Sequence, residues 1–215
     1  MPAHRHAGLL ALALLASASS AKPPAAPAPL EQPALAAPAP LEPGDVVFIA
    51  IDAALWSHLA SRWSGPERRF GHVGIAARTN DGGIVIVHAG GSPVAGAAPV
   101  LAEPFADFAA HADRVGVYRL RASRAARHGA GAAALALQRS GARFDASFSL
   151  ASTSELYCTE LVWRAIRAGA ELDTVPQPSI IANRPVITLL NLEASALLEQ
   201  VGFAAREPFS AASSP

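Results

Sequence analysis

Cys158 is the single cysteine in the 215 residues of the chain, and its surroundings favour a reactive thiol. The stretch from Leu156 to Trp163 predicts a helix with its apolar positions on one stripe and Cys158 in the first turn. Unpaired backbone N–H groups and the helix dipole at this end favour a thiolate and can stabilise an oxyanion. The alternative is a buried, unreactive cysteine that continues the apolar stripe.

His72 is the best candidate for the general base that a thiol nucleophile needs. It lies between Gly71 and Gly74 in a run rich in β-branched residues. Glycines in a strand often mark the close approach of another group, so the space around this imidazole favours a contact. The alternative is a half-exposed strand histidine without a catalytic role.

His88 ends the next run of β-branched residues, and residues 78–82 between the two runs have the composition of a hairpin loop. If this loop is centred on Asn80, His72 and His88 face each other on one side of the sheet. One imidazole could then orient the other, as a catalytic triad requires. A two-residue Asp81-Gly82 turn would instead place the histidines on opposite faces.

The same three side chains, Cys158, His72 and His88, are also ligand types that zinc accepts. Their spacing matches no close ligand pair, and only one thiol is present. We therefore expect neither a metal nor an organic cofactor.

The elements that must position these residues are of mixed type. Pro104 favours a helix start, and Gly141 and Gly169 favour helix ends. Residues 144–148 predict a strand or a turn. The predicted strands span 46–49, 72–77, 83–89 and 115–120, and the predicted helices span 54–63, 103–111, 123–140 and 157–168. This mixture favours an α+β fold with an antiparallel sheet.

The two ends of the chain differ in composition from its middle. Residues 1–21 have the order of a secretory signal peptide, with Arg5, a short apolar run and then small residues. Proline and alanine dominate residues 22–40, which predicts an extended linker. We expect one folded domain over residues 41–207, a loose tail over residues 208–215, and an exported protein, periplasmic or secreted.

The charge balance narrows the classes of partner. The chain has 17 basic and 17 acidic residues, so its formal net charge is zero. Without a basic patch, neither nucleic acid nor an anionic membrane surface is an expected partner. The apolar run near the start is too short to span a bilayer, and no later stretch is long enough, so we expect no stable membrane insertion.

Five motifs follow one another in an order that resembles the permuted papain-like amidases of the YiiX type, relatives of the NlpC cell-wall peptidases. In ordinary papain-like enzymes the cysteine precedes the histidine, whereas in the permuted group the histidine strand comes first. The resemblance covers roughly residues 41–169. The motifs are Gly-Asp-Val-Val-Phe at 44–48, Gly-His-Val-Gly-Ile at 71–75, Val-His-Ala at 87–89, Phe-Asp-Ala-Ser-Phe at 144–148 and Tyr-Cys-Thr-Glu-Leu-Val at 157–162.

This resemblance implies a papain-like domain with Cys158 as nucleophile and His72 as base. It also implies the even hairpin register, which places His88 next to His72. Proteins of the YiiX type tend to carry glutamate at the position of His88. A histidine there is closer to the related lecithin-retinol acyltransferase-like group, which leaves the substrate class open.

Four further residues of these motifs have expected roles. Tyr157 is a candidate for the oxyanion or substrate site. The acidic residues Asp45, Asp145 and Glu160 are expected to be structural.

The implied reaction is hydrolysis through a thioester on Cys158. The bond cleaved would be an amide, or alternatively an ester or thioester, in a peptidoglycan-derived peptide or an acylated lipid or amine. Two alternatives remain open: an acyltransferase that uses the same site, and a catalytically silent binding module that keeps the fold.

Overall fold

A six-stranded sheet is the largest element of the protein, which a computed structural model describes over residues 34–50, 69–90 and 98–206. Its strands are β1 (Val46–Ala50), β2 (His72–Arg78), β3 (Ile84–Ala89), β4 (Val100–Glu103), β5 (Arg114–Leu120) and β10 (Leu198–Ala205). Their order is β10-β5-β1-β2-β3-β4, and all neighbours are antiparallel. The predicted antiparallel α+β class is confirmed.

Two short ladders lie outside this sheet. The strands β6 (Arg143–Phe144) and β7 (Glu155–Leu156) pair in parallel, and β8 (Ser179–Ile181) pairs antiparallel with β9 (Arg184–Val186). Residues 144–148 therefore form the end of a strand followed by a turn. Strands β8, β9 and β10 lie after Gly169, where the sequence pattern predicts no elements.

The described residues contain four helices: α1 (Phe105–Phe108), α2 (Arg124–Arg139), α3 (Cys158–Ala170) and α4 (Leu189–Glu193). The helix predicted at 54–63 lies outside the described residues, as do the signal peptide at 1–21 and the tail at 208–215. No helix in the described ranges is long and apolar enough to cross a membrane.

Strand β1 is buried on both faces, which explains its continuous apolar run. Val46 and Phe48 belong to a core cluster that includes apolar residues of α2 and α3. Val47 and Ile49 belong to a second cluster on the opposite face, together with Phe108 of α1. The sheet therefore has α2 and α3 on one face and α1 on the other.

Helices α2 and α3 cross at Gly129 and Gly169, where there is no room for a side chain. A Cβ on either glycine would lie 2.0 Å from the carbonyl oxygen of the other. Helix α3 continues past Gly169 to Ala170, and the chain turns at Glu171 with a left-handed φ of 56°. The prediction that Gly169 ends this helix is wrong, because Gly169 serves a close contact between helices.

The other helix boundaries depend on capping. Ser123 caps α2 by accepting a hydrogen bond from the Ala126 N–H at 3.1 Å, and Gly141 follows the helix with a φ of 78°, as predicted. Pro104 occupies the N-cap of α1 rather than its first helical position. This helix ends at Phe108, so the predicted extension to residue 111 is wrong.

Residues before the predicted domain start pack on the sheet. Leu35 contacts the second core cluster, as does Leu41, the first residue of the predicted domain. The Arg119 side chain donates a hydrogen bond to the Pro40 carbonyl oxygen at 3.1 Å. The packed part of the chain therefore reaches back to Leu35, within the segment that composition predicts to be a linker.

Candidate active site

Cys158 is the first residue of α3 and carries a free, partly buried thiol. Backbone N–H groups of Thr159 and Val73 donate hydrogen bonds to its sulfur. Burial nevertheless raises the pKa of the Cys158 thiol to about 11, because desolvation of the thiolate outweighs these hydrogen bonds. The resting site therefore favours the protonated thiol, in contrast to the predicted thiolate.

The N–H of Val73 is available to the sulfur because β2 and β3 separate at this point. Their ladder begins at the pair Ile75 and Val87, two residues further into β2. Backbone N–H groups two residues apart in a strand point to the same side, so the Val73 N–H faces the gap beside β3. The sulfur of Cys158 therefore lies beside the end of β2, next to the residue that follows His72.

His72 is the first residue of β2, and its Nε2 lies 2.9 Å from Nδ1 of His88, within hydrogen-bonding distance. Burial, together with the nearby charge of a protonated His88, lowers the pKa of His72 to about 3. His72 is therefore neutral at neutral pH and able to accept a proton. No hydrogen bond joins either imidazole to the Cys158 thiol among the described residues, so the expected contact is not formed in the resting site.

The pairing of β2 with β3 is shifted from the predicted register by an even number of residues, so each side chain stays on its predicted face of the sheet. Ile75 pairs with Val87, and the Thr79 N–H donates to the Gly83 carbonyl oxygen at 3.0 Å, which closes a three-residue loop. His72 and His88 are therefore diagonal neighbours on one face rather than direct partners. The prediction of direct opposition is wrong because the loop is centred on Asp81, not on Asn80.

Gly74 makes this diagonal contact sterically feasible. Continuing the register places Gly74 beside His88, where a Cβ on the glycine would lie 3.2 Å from the His88 Cβ. The same Cβ would lie 2.5 Å from Cγ2 of Ile86. The space that Gly74 leaves beside His72 is thus occupied by side chains of the neighbouring strand β3.

Glu103 contacts the second imidazole of the histidine pair. It is not one of the site residues that the sequence predicts. Its Oε1 lies 3.0 Å from Nε2 of His88. Burial lowers the pKa of His88, while the Glu103 carboxylate acts in the opposite direction. In the sequence Glu103 follows a short apolar run and precedes Pro104, and this position does not indicate a contact with His88.

The ring of Phe108 covers both imidazoles on the second core face. Its centroid lies 5.6 Å from that of His72 and 4.9 Å from that of His88. Because α1 follows β4 directly, one short segment supplies both the Glu103 carboxylate and this aromatic cover.

Tyr157 does not occupy the predicted oxyanion or substrate position. The residue is 1% exposed, and its hydroxyl accepts a hydrogen bond from the Ile187 N–H at 2.8 Å. The Thr159 hydroxyl donates to the Ile187 carbonyl oxygen at 2.6 Å. Both residues that flank Cys158 therefore fix the start of α3 to one residue of the C-terminal region.

The three acidic residues expected to be structural have structural contacts. Asp45 accepts two hydrogen bonds from Arg119, at 2.9 and 2.8 Å. Asp145 accepts from the backbone N–H of Ser147 and of Ser149, both at 2.7 Å, and so shapes the turn after β6.

Glu160 is fully buried at the start of α3 and accepts a hydrogen bond from the Arg164 Nε at 2.9 Å and from the Tyr157 N–H at 3.4 Å. Burial raises the pKa of Glu160 to about 7 despite the adjacent Arg164 charge. Its contacts stabilise the first turn of the helix that carries Cys158.

A metal site is not apparent at this position. Within residues 34–50, 69–90 and 98–206, no three histidine, cysteine or acidic side chains are grouped to hold a metal ion.

Comparison with known proteins agrees with the observed fold. The chain is similar to the crystal structure of the metalloprotein yiiX from Escherichia coli O157:H7, with a TM-score of 0.62, 20% identity, and coverage of 78% of this chain and 98% of that chain. At this identity the likeness concerns the fold alone. No curated protein matches the chain. Residues 40–184, more than half of the chain, match the family model of the permuted papain-like amidase enzymes, YaeF/YiiX, C92 family, and the chain therefore belongs to this family of papain-like amidases.

Proposed function

We propose that this amidase is an exported cysteine hydrolase that cleaves an amide bond through a thioester on Cys158, with His72 as base and His88 as its orienting residue. The observation that carries the proposal is the 2.9 Å contact between His72 Nε2 and His88 Nδ1. It occupies one nitrogen of His72 and leaves Nδ1 for the thiol. The Val73 N–H holds the sulfur beside the same strand end.

The reaction begins from a neutral thiol and a neutral imidazole. As the sulfur attacks the substrate carbonyl, the thiol proton moves to His72 Nδ1 and a C–S bond forms. The C–N bond then breaks, and His72 returns the proton to the leaving nitrogen. Water, deprotonated by His72, attacks the thioester, releases the acid and restores the thiol.

The N-terminus of α3 is suited to stabilise the oxyanion of this reaction. The first backbone N–H groups of a helix have no acceptor within the helix, and Cys158 is the first residue. Donors fixed before the reaction stabilise the developing negative charge without reorganisation. We assign this role to the backbone and not to the Tyr157 hydroxyl, which is bonded to Ile187.

The proposed substrates are peptidoglycan-derived peptides, or acylated lipids or amines. The signal-like residues 1–21 support export and therefore a substrate of the cell envelope or its surroundings. The bond is proposed to be an amide because the family is one of amidases; an ester or thioester would react through the same steps.

The proposal is tested by incubating the protein with a cell-envelope fraction, quenching with acid and measuring the mass of the peptide that contains Cys158. We expect an acyl adduct that water removes. Cys158→Ala should give no adduct, and His72→Ala should slow adduct formation by about a hundredfold or more. An adduct removed only by an added amine, such as glycinamide, would identify an acyltransferase. A folded protein that forms no adduct with any fraction would contradict the proposal.

A further inference from the structure

The imidazoles of His72 and His88 belong to a chain of three side chains that ends at Glu103. His72 Nε2 lies 2.9 Å from His88 Nδ1, and His88 Nε2 lies 3.0 Å from Glu103 Oε1. Both steps are diagonal ones across neighbouring strands, since His88 pairs with Leu101, two residues before Glu103. Three adjacent strands thus place one side chain each in a continuous line.

The hydrogen-bonding capacity of each group determines where the protons are. An ionised carboxylate only accepts hydrogen bonds, so His88 Nε2 must carry a proton toward Glu103. In a neutral imidazole the other nitrogen is then an acceptor, so His88 Nδ1 accepts from the Nε2–H of His72. Neutral His72 is left with its lone pair on Nδ1, the nitrogen not engaged by His88.

We propose that Glu103 is a positioning residue, which fixes the tautomers of His88 and His72 so that Nδ1 of His72 is the basic nitrogen. The inference rests on the proposed function for the identity of the base. When His72 receives the thiol proton, its positive charge develops next to His88, whose far nitrogen contacts the carboxylate. Glu103 therefore also stabilises the imidazolium that forms during attack.

The surroundings of His88 restrict other arrangements of its ring. Phe108 packs against the ring, with 4.9 Å between the centroids. A Cβ on Gly90 would lie 3.1 Å from the His88 Cε1, so the backbone also approaches closely. The polar side chains that contact His88 within the described ranges are His72 and Glu103. The carboxylate is thus the group that selects which His88 nitrogen holds the proton.

The test combines nitrogen-15 NMR of the imidazoles with turnover of N-acetylalanine p-nitrophenyl ester. In the wild-type protein we expect both histidines protonated at Nε2. Glu103→Gln has the same shape, but its amide can donate to His88 Nε2 as well as accept from it, so the preference for one tautomer is lost. We expect a mixture of the two tautomers, and a kcat lowered about tenfold to a hundredfold with KM little changed. Glu199→Gln, on an exposed strand position with a side chain 57% exposed, is the matched control and should change neither.

A second variant separates positioning from folding. Glu103→Ala should recover part of its kcat on addition of acetate, since Glu103 is 28% exposed and a small carboxylate can enter its place. Sodium chloride at equal ionic strength should not restore kcat. Unchanged tautomers in Glu103→Ala, or no selective recovery of its kcat with acetate, would overturn the proposal.

The NMR measurement needs no substrate, so it distinguishes the two proposals. If Cys158→Ala retained the wild-type ester turnover while Glu103→Ala still lost the tautomer preference, the proposed function would fail and the role of Glu103 would stand.

Discussion

The sulfur of Cys158 accepts a hydrogen bond from the backbone N–H of Val73, the residue that follows His72. The proposed nucleophile therefore contacts the strand of the proposed base through a backbone hydrogen bond and not through the imidazole itself. Since burial raises the pKa of Cys158 and lowers that of His72, both groups are neutral at rest. This relationship distinguishes the site from one that stores a thiolate–imidazolium pair.

The pKa of the thiol can be measured by alkylation, and the result is specific because the chain has a single cysteine. We expect the rate of iodoacetamide labelling to rise with pH through an apparent pKa above about 8.5, the value for a free cysteine. The physical reason is desolvation of the thiolate, which raises the pKa of Cys158 to about 11. The urea-unfolded protein is the control. A plateau below pH 8.5 would show that an ion pair forms at rest.

Tyr157→Phe should reduce stability without reducing turnover. The substitution leaves the buried Ile187 N–H without its acceptor, which costs about 1–3 kcal/mol in the free energy of unfolding. Thr159→Ser keeps the hydroxyl that donates to the Ile187 carbonyl and serves as the comparison. Urea unfolding and kcat on the p-nitrophenyl ester are the measurements. A large fall in kcat with unchanged stability would instead support an oxyanion role for the tyrosine hydroxyl.

Gly129→Ala should destabilise the protein, although alanine normally favours a helix. A Cβ at this position would lie 2.0 Å from the Gly169 carbonyl oxygen, so α2 and α3 would have to move apart. We expect a loss of roughly 1–3 kcal/mol in the free energy of unfolding. Ala132→Gly, at an exposed position of α2, calibrates helix propensity and should cost about 1 kcal/mol. A more stable Gly129→Ala would contradict the close helix crossing.

Acid should destabilise the fold through its buried histidines. Burial lowers the pKa of His72 to about 3 and also lowers that of His88, whereas an unfolded histidine titrates near about 6.5. Between these values the unfolded chain binds protons that the folded chain does not. The stability present above pH 6.5 is therefore lost as the pH falls toward 3.

His72→Gln should accordingly show a shallower loss of unfolding free energy between pH 6.5 and pH 4 than the wild-type protein. His111→Gln, at an exposed position, is the control and should retain the wild-type slope. Glu160 acts in the opposite direction, because its raised pKa of about 7 makes its contribution weaken as the pH rises from about 4.5. The contribution of Glu160 is the same in the wild-type protein, His72→Gln and His111→Gln, so it does not affect the comparison of their slopes. Equal slopes in wild type and His72→Gln would contradict the burial of the imidazole.

Most of the fold around the site could be predicted because it depends on local patterns. Apolar runs mark β1 to β3, Ser123 and Gly141 bound α2, and the helix stripe places Cys158 at a helix start. Gly169 was misassigned because the same residue type serves a helix end or a helix contact. What makes Gly169 a helix contact is its proximity to Gly129 on another helix, and no local sequence pattern shows that proximity.

The side of the sheet on which the histidines lie could be predicted, but the exact pairing of the two strands depends on the length of the loop and could not. Composition left open whether His72 and His88 share a face, and the family resemblance implied that they do. Neither could distinguish a loop centred on Asn80 from one centred on Asp81. Glu103 depends on the β3–β4 register, and Ile187 depends on a contact far along the chain. These are long-range relationships, so sequence spacing carried no information about them.

The order of the elements along the chain has a consequence for biosynthesis. Both histidines, Glu103 and Phe108 come from consecutive elements, so a chain emerging from the ribosome presents the whole basic half of the site first. Cys158 is made later and reaches the end of β2 only when α3 packs on α2 and the sheet. A nascent chain that lacks α3 therefore carries the proposed base without the proposed nucleophile, and the proposed chemistry can begin only after that helix has been made and packed.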